Sequence, residues 1–338
     1  MKQEAFQARY EPEWHRFERW LDAREATKRA QRMQADAIMP ASEFALALRR
    51  LCQQLALAER RDYSAQLIAH LRGLAQRGHL ELYQPRPPRL RVVVDFFAAT
   101  FPRLVRAQWR CMAVAALLLF LPLAAVVALL QVHPELVHSL FDPMQLAQFE
   151  RMYDPALHAE RLGRDEGSDL RMFGYYIYNN VSIGFRTFAS GLLACIGAVF
   201  VLVFNGVIIG AVAGHLTAIG HGGPFWSFVA GHSAPELLAI VISGGAGLHI
   251  GMALLAPGRR SRARALGEAG VVGAKLVLGV FAMLVGAAFI EAYWSSIAWV
   301  PAWVKHAVGL GLWLLIGLWL WRGGRGSAAP EVVPDARG

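Results

Sequence analysis

Charge is missing from the middle of this chain. Between residues 187 and 256 there is no Lys, Arg or Asp, and Glu236 is the only acid. A water-soluble core cannot absorb so long an uncharged run, whereas a lipid bilayer requires one. Charged residues make up only 17% of the chain and hydrophobic residues 55%, which excludes an ordinary soluble domain. Cysteine is scarce as well. Cys52, Cys111 and Cys195 lie far apart without a CxxC pair, so neither a disulfide framework nor a thiolate metal site is indicated. The amino terminus is charged and lacks an apolar signal-peptide core, so the first span is expected to act as its own insertion signal. Enzyme signatures are also absent: there is no HExxH, GxSxG, P-loop or strand-borne GxGxxG.

What remains points to an all-α, polytopic helical membrane protein with an amino-terminal cytosolic helical domain. Most of the net charge of +9 falls in residues 1–110. No nucleic-acid motif accompanies it, so the charge reads as a domain lying against an anionic leaflet, followed by a positive-inside anchor. Phe6, Tyr10, Trp14, Phe17 and Trp20/Leu21 recur at helical spacing. Pro40 to Glu43 opens a second helix carrying Phe44, Leu48, Leu51 and Leu55. Asp62 or Ser64 caps a third through Leu67, Leu71 and Leu74, expected to stop near Gly78. Pro85-Arg-Pro-Pro88 reads as a stiff linker, and 92–105 as an amphipathic lead into the bilayer. Arg103, Arg106 and Arg110 assign that side to the cytoplasm.

Spans are expected near 111–132, 187–213, 234–256, 271–290 and 304–321, with 133–186 an acidic extracytoplasmic loop and 323–338 a disordered tail. Five full crossings leave the basic 259–264 loop and the carboxyl terminus on the wrong side. Parity is restored if 187–220 is a broken, re-entrant hairpin turning near Asn205-Gly206, and this reading is preferred to one long tilted span.

Gly206, Gly210 and Gly214 form a small-xxx-small ladder, repeated by Gly247 and Gly251, and both read as close helix packing. Asn205 is expected to bond across helices or to carbonyls freed at a break. His232-Ser-Ala-Pro-Glu236 is the sharpest local signal. It reads either as a proton relay, metal site or acid/base pair, or as an S-x-x-E capping box opening the next helix; the capping box is preferred. His215, His221 and His249 add nothing by themselves. Lys275 is expected to snorkel, and Glu291 only to close its span. No cofactor or metal is expected.

The block from Asn179-Asn180 through Asn205-Gly206 to His232-x-x-x-Glu236 and Gly247 resembles the stage II sporulation protein M family of integral membrane proteins. The likeness extends to the amino-terminal extension of non-sporulating members, through residues 74–79, Tyr83 and Phe101-Pro102. In spore formers, the resemblance implies, such a protein is a membrane component of peptidoglycan-remodelling machinery. It acts with secreted wall hydrolases and does not cut the wall itself. The expected function is therefore a non-enzymatic scaffold in the bacterial inner membrane, with the bilayer, envelope proteins and wall hydrolases as partners and no nucleic acid. Self-association is left open. The alternatives are a transporter or permease-like subunit lined by Asn205, His232 and Glu236 and, more weakly, an intramembrane hydrolase.

Overall fold

The computed structural model describes residues 2–25, 37–82, 89–154, 156 and 168–326. The Pro85–Pro88 linker and the tail from residue 327 lie outside the described residues. Two units are present, Met1–Arg91 and Val92–Gly338.

The first unit packs three helices, α1 (Gln3–Glu25), α2 (Ala41–Arg60) and α3 (Ala65–Leu82). Phe6, Trp14, Phe17, Trp20 and Leu21 of α1 are buried against Phe44, Leu48 and Leu51 of α2 and Leu67, Leu71 and Leu74 of α3. The spacing of three and four in each helix produces this shared face. The stack is aromatic at its centre, with Trp20 and Phe44 rings 4.5 Å apart. Trp14 Nε1 donates to Gln54 Oε1 at 2.7 Å, which satisfies the polar edge of a buried ring. Gly78 does not end α3. It lies under Leu48 and Phe17, where a Cβ would sit 2.6 Å from Leu48 Cδ1, so it is a close-packing residue.

The second unit takes in most of α4 (Arg89–Asp95), a π-helical turn (Phe96–Thr100) and α5 (Phe101–Ala107). The 92–105 segment, expected as a lead into the bilayer, groups with the second unit. Phe101 is fully buried and stacks on Trp319 at 5.4 Å. Trp319 Nε1 donates to the Phe97 carbonyl at 2.9 Å. Arg106 donates to the carbonyls of Leu320 and Gly323, and Arg103 Nε to that of Gly324 at 2.8 Å. These guanidinium groups supply the partners that the last helix's terminal carbonyls otherwise lack. Burial and the neighbouring Arg325 and Arg103 charges hold the Arg106 pKa below its ordinary value.

Five helices are long and apolar enough to cross a membrane: α6 (Trp109–Val132), α9 (Ile196–Ala218), α11 (Ser233–Leu255), α12 (Arg262–Ile290), which continues to Ser295, and α13 (Ala302–Arg322). Another long helix, α8 (Asp169–Ala189), outside those five, lies beside α11 and α12, with Phe173 near Phe289 at one end and Phe188 against Gly273 at the other. The contacts set the directions. Gly206, Gly210 and Gly214 meet Leu119, Leu123 and Leu130 in that order, so α6 and α9 run parallel. Gly244 and Gly247 of α11 meet Leu202 and Ala198 of α9, so that pair is antiparallel.

The break expected at Asn205-Gly206 is absent, because Ile196–Ala218 is one continuous helix. Asn205 Nδ2 donates to the Val201 carbonyl at 2.7 Å on its own helix, and Gly206 lets α6 approach. The hairpin turn lies instead at 190–195, where Ala194 (φ 48°) and Cys195 (φ 70°) take left-handed backbone. Its first arm is α8, so the loop expected at 133–186 is shorter: 169–186 belong to the bundle. The chain thus reaches α9 from the same end at which α9 leaves. The start of α6, the 259–264 loop and the end of α13 all share the other, basic end.

At the opposite end lies a cap made of a 3-10 turn (Pro134–Ser139) and α7 (Pro143–Tyr153). Asp142 caps α7 by accepting from Met144 and Gln145 N–H, both at 2.9 Å, and Gln145 returns the bond. Val137, Phe141 and Leu146 are buried with Leu130 and Ala211, which seats the cap on α6 and α9. A short helix, α10 (Gly222–Ala230), then leads into α11.

Candidate functional site

Three elements at the cap end bring polar side chains to one point. Asn180 comes from the middle of α8, and it is buried although its helix is only moderately apolar. His232 and Glu236 occupy the start of α11, one helical turn apart, so both project from the same face. Glu291 and Ser295 come from a π-helical turn (Glu291–Ser295) that prolongs α12. A π turn widens the helix by one residue per turn and re-aims its side chains, and such turns recur at functional sites.

The hydrogen bonds form a chain. Asn179 Nδ2 donates to Asn180 Oδ1 at 2.9 Å, and Asn180 Nδ2 donates to Glu291 Oε2 at 3.4 Å. His232 Nδ1 lies 3.0 Å from Ser295 Oγ, while its Nε2 faces Glu236 Oε2 from 3.9 Å, too far for a hydrogen bond. One donor atom each of His232, Glu236 and Glu291 falls within 4.8 Å of the others. His232 is 5% exposed, and Ser295 and Ser296 are fully buried. Lys305 of α13 is buried alongside, but its Nζ donates to the Ser295 carbonyl at 2.8 Å. Among the described residues, no Lys or Arg is paired with either carboxylate.

Aromatic rings cover the site. Phe228 lies edge-on to His232 at 5.2 Å, and Tyr153 from the cap packs on Phe228 at 5.7 Å and on Phe225 at 5.2 Å. Burial pushes the Tyr153 hydroxyl well above its ordinary range, with the charges of Glu291, Tyr176 and Glu236 acting in the same direction.

The preferred capping-box reading fails here. Ser233 Oγ donates to the Ala230 carbonyl at 3.2 Å and accepts from Trp313 Nε1 at 3.1 Å. His232 is the residue before the helix, and it makes no side-chain cap bond. The Glu236 carboxylate is turned to His232 and Glu291. Of the residues singled out from sequence, Asn180, His232 and Glu236 converge. Asn205 and Gly206 do not join them, and His249 stands near the far end of α11. Glu291, Ser295, Tyr153 and Lys305 were missed. The one available signal was an acid, Glu291, at the end of an apolar run where nothing obliges it to be solvated. His215, which adds nothing by itself in sequence, belongs to α9, and its Nε2 lies 2.8 Å from Glu150 Oε1 on the cap.

Such a centre has three chemical uses. Two carboxylates facing an imidazole can hold a cation, share and pass a proton, or act as an acid/base pair.

The residues carrying this centre lie in a segment with a known pattern. The model of the stage II sporulation protein M family matches residues 113–296, more than half of the chain. The chain belongs to the stage II sporulation protein M family. That match runs from within α6 through the Glu291–Ser295 turn and takes in Asn180, His232, Glu236, Glu291 and Ser295, while Lys305 lies beyond it. A second model, a domain of unknown function (DUF8413), matches residues 4–84, the three-helix unit. No curated protein and no solved structure matches the chain.

Proposed function

We propose that this family member is a multi-pass scaffold of the bacterial cytoplasmic membrane, amino terminus inside, that organises envelope or peptidoglycan-remodelling partners, wall hydrolases among them. The cap is the observation that carries this reading. It is a built surface: anchored by Val137, Phe141 and Leu146, tied by Glu150 to His215, and leaving Leu136, Leu140 and Met144 exposed beside acidic residues. Apolar side chains held outward on a fixed element suit a protein partner. The positive-inside rule supports the orientation, since Arg103, Arg106, Arg110, the 259–264 loop and Arg322 cluster at the end away from the cap.

A transporter would draw on the same polar centre. The aromatic cover over His232 and the tight α6–α9 seam favour the scaffold. The test is site-specific photo-crosslinking in living cells from Leu140 and Met144. The proposal expects adducts with an envelope protein of the wall-remodelling class, kept in a His232→Ala/Glu236→Gln double variant that still inserts. Adducts with lipid alone, or their loss in that double variant despite normal folding, would overturn it.

A further inference from the structure

We propose that His232, Glu236 and Glu291 bind one divalent transition-metal ion, of the zinc, manganese or ferrous class, inside the membrane domain. The proposal is independent of the scaffold reading. From sequence the two residues His232 and Glu236 did not suffice for a metal; Glu291 supplies the third donor.

The donor set is one imidazole nitrogen and two carboxylates, which suits these ions and not the all-oxygen preference of calcium or magnesium. The spacing fits with small adjustment. An ion bound at about 2.0–2.2 Å from each donor wants the donors roughly 3.0–3.5 Å apart. The three donor atoms lie within 4.8 Å of one another, and the His232–Glu236 pair is at 3.9 Å. Rotation of the two glutamate side chains, moving their oxygens by about 1–2 Å, closes that gap.

Support around the donors is also in place. A metal-ligating histidine holds its other ring nitrogen on a partner that fixes the ring, and Ser295 Oγ does so for His232 Nδ1 at 3.0 Å. With that Nδ1 protonated, the Nε2 lone pair is directed at a carboxylate oxygen, an arrangement that repels until a cation stands between them. Asn180 orients Glu291 in the same way from α8. Two partly buried carboxylates also need countercharge, and the nearby Lys305 is committed to the Ser295 carbonyl. A dication neutralises both in one step.

The test uses the full-length chain, expressed in metal-supplemented medium, purified in detergent and analysed for bound metal. The expected result is one divalent ion per chain, lost in Glu236→Gln and in Glu291→Gln and retained in the exposed-site control Lys275→Gln. A second arm needs no variant. With metal at about a hundredfold its Kd, chelation lowers the wild-type melting temperature by about 5–10 °C, and adding the ion back restores it. Cobalt substitution adds a visible absorption spectrum that Glu291→Gln abolishes. A wild-type chain that stays metal-free after exposure to zinc, manganese and ferrous ions, with unchanged melting under chelator, overturns the proposal. The carboxylates would then share a proton.

Discussion

Replacing Gly210 by alanine tests the seam on which the membrane domain is built. A Cβ there would lie 2.6 Å from the Leu123 carbonyl oxygen and 3.0 Å from Leu123 Cα. Both atoms are backbone, so no rotamer change relieves the overlap. Helices α6 and α9 must move apart by roughly 0.5–1 Å, and a gap of that size forfeits a quarter to a half of the dispersion energy along it. The loss spreads to Gly206 and Gly214, which sit against Leu119 and Leu130 on the same face. Overpacking of this kind costs about 1–3 kcal/mol. At about 2–4 °C per kcal/mol for a domain of this size, the melting temperature should fall by roughly 2–12 °C. Tryptophan fluorescence during heating in detergent reads it directly. Gly311→Ala is the control, because nothing lies within 4 Å of its added Cβ. Alanine's better helix propensity should leave that variant unchanged or up to about 1 kcal/mol more stable. A Gly210→Ala protein that melts with Gly311→Ala would refute the close-packed seam.

Other consequences are as direct. Ser233 and Trp313 share a hydrogen bond at 3.1 Å, so Ser233→Ala and Trp313→Phe should couple by about 0.6 kcal/mol, at most about 1.7, in a double-mutant cycle of thermal stability. Simple additivity would return Ser233 to the capping role. Glu150→Ala and His215→Ala should each raise amide exchange in Pro143–Tyr153 and leave exchange in α12 unchanged, since their 2.8 Å contact ties the cap to α9. Arg106→Ala should make the chain beyond Trp319 more open to protease, because Arg106 holds the carbonyls of Leu320 and Gly323; unchanged digestion would count against that clasp. Gly78→Val should destabilise the three-helix unit by about 1–3 kcal/mol, measured in the full chain, because Leu48 and Phe17 fill the space.

Much of the fold is legible in the sequence, and the reason is the bilayer. An uncharged apolar run leaves few alternatives to a membrane helix, and the aromatic stripe of α1 has few alternatives to a core face. The helix that escaped notice is α8. It carries Asn179, Asn180, Ser182 and Arg186 among its apolar residues: Asn179 and Asn180 join the polar centre, while exposed Arg186 donates to the Ser182 carbonyl on its own helix. Hydropathy averages over both faces and so misses it. The parity conflict arises because α8 goes uncounted; a Gly beside an Asn reads as a break, yet here it is a contact surface. The candidate site was half legible. Asn180, His232 and Glu236 were singled out by residue type and spacing. Glu291 lies 55 residues beyond Glu236 in sequence, and no local pattern announces that the two meet. The capping box failed for a related reason, since Ser233 found a tertiary partner, Trp313, that no local rule contains.

One measurement bears on the whole arrangement: sided thiol labelling of Met144→Cys and Ala263→Cys in intact cells, with Cys52, Cys111 and Cys195 replaced by serine. Both positions are exposed, one on the cap and one at the start of α12. With α8 and α9 as a hairpin, the account predicts that a membrane-impermeant reagent labels Met144→Cys from outside. Ala263→Cys should react only once the cells are opened. Labelling of both from the same side would mean that α8 and α9 do not return the chain to the cap end. The placement of His232, Glu236 and Glu291 beneath that cap would then fall.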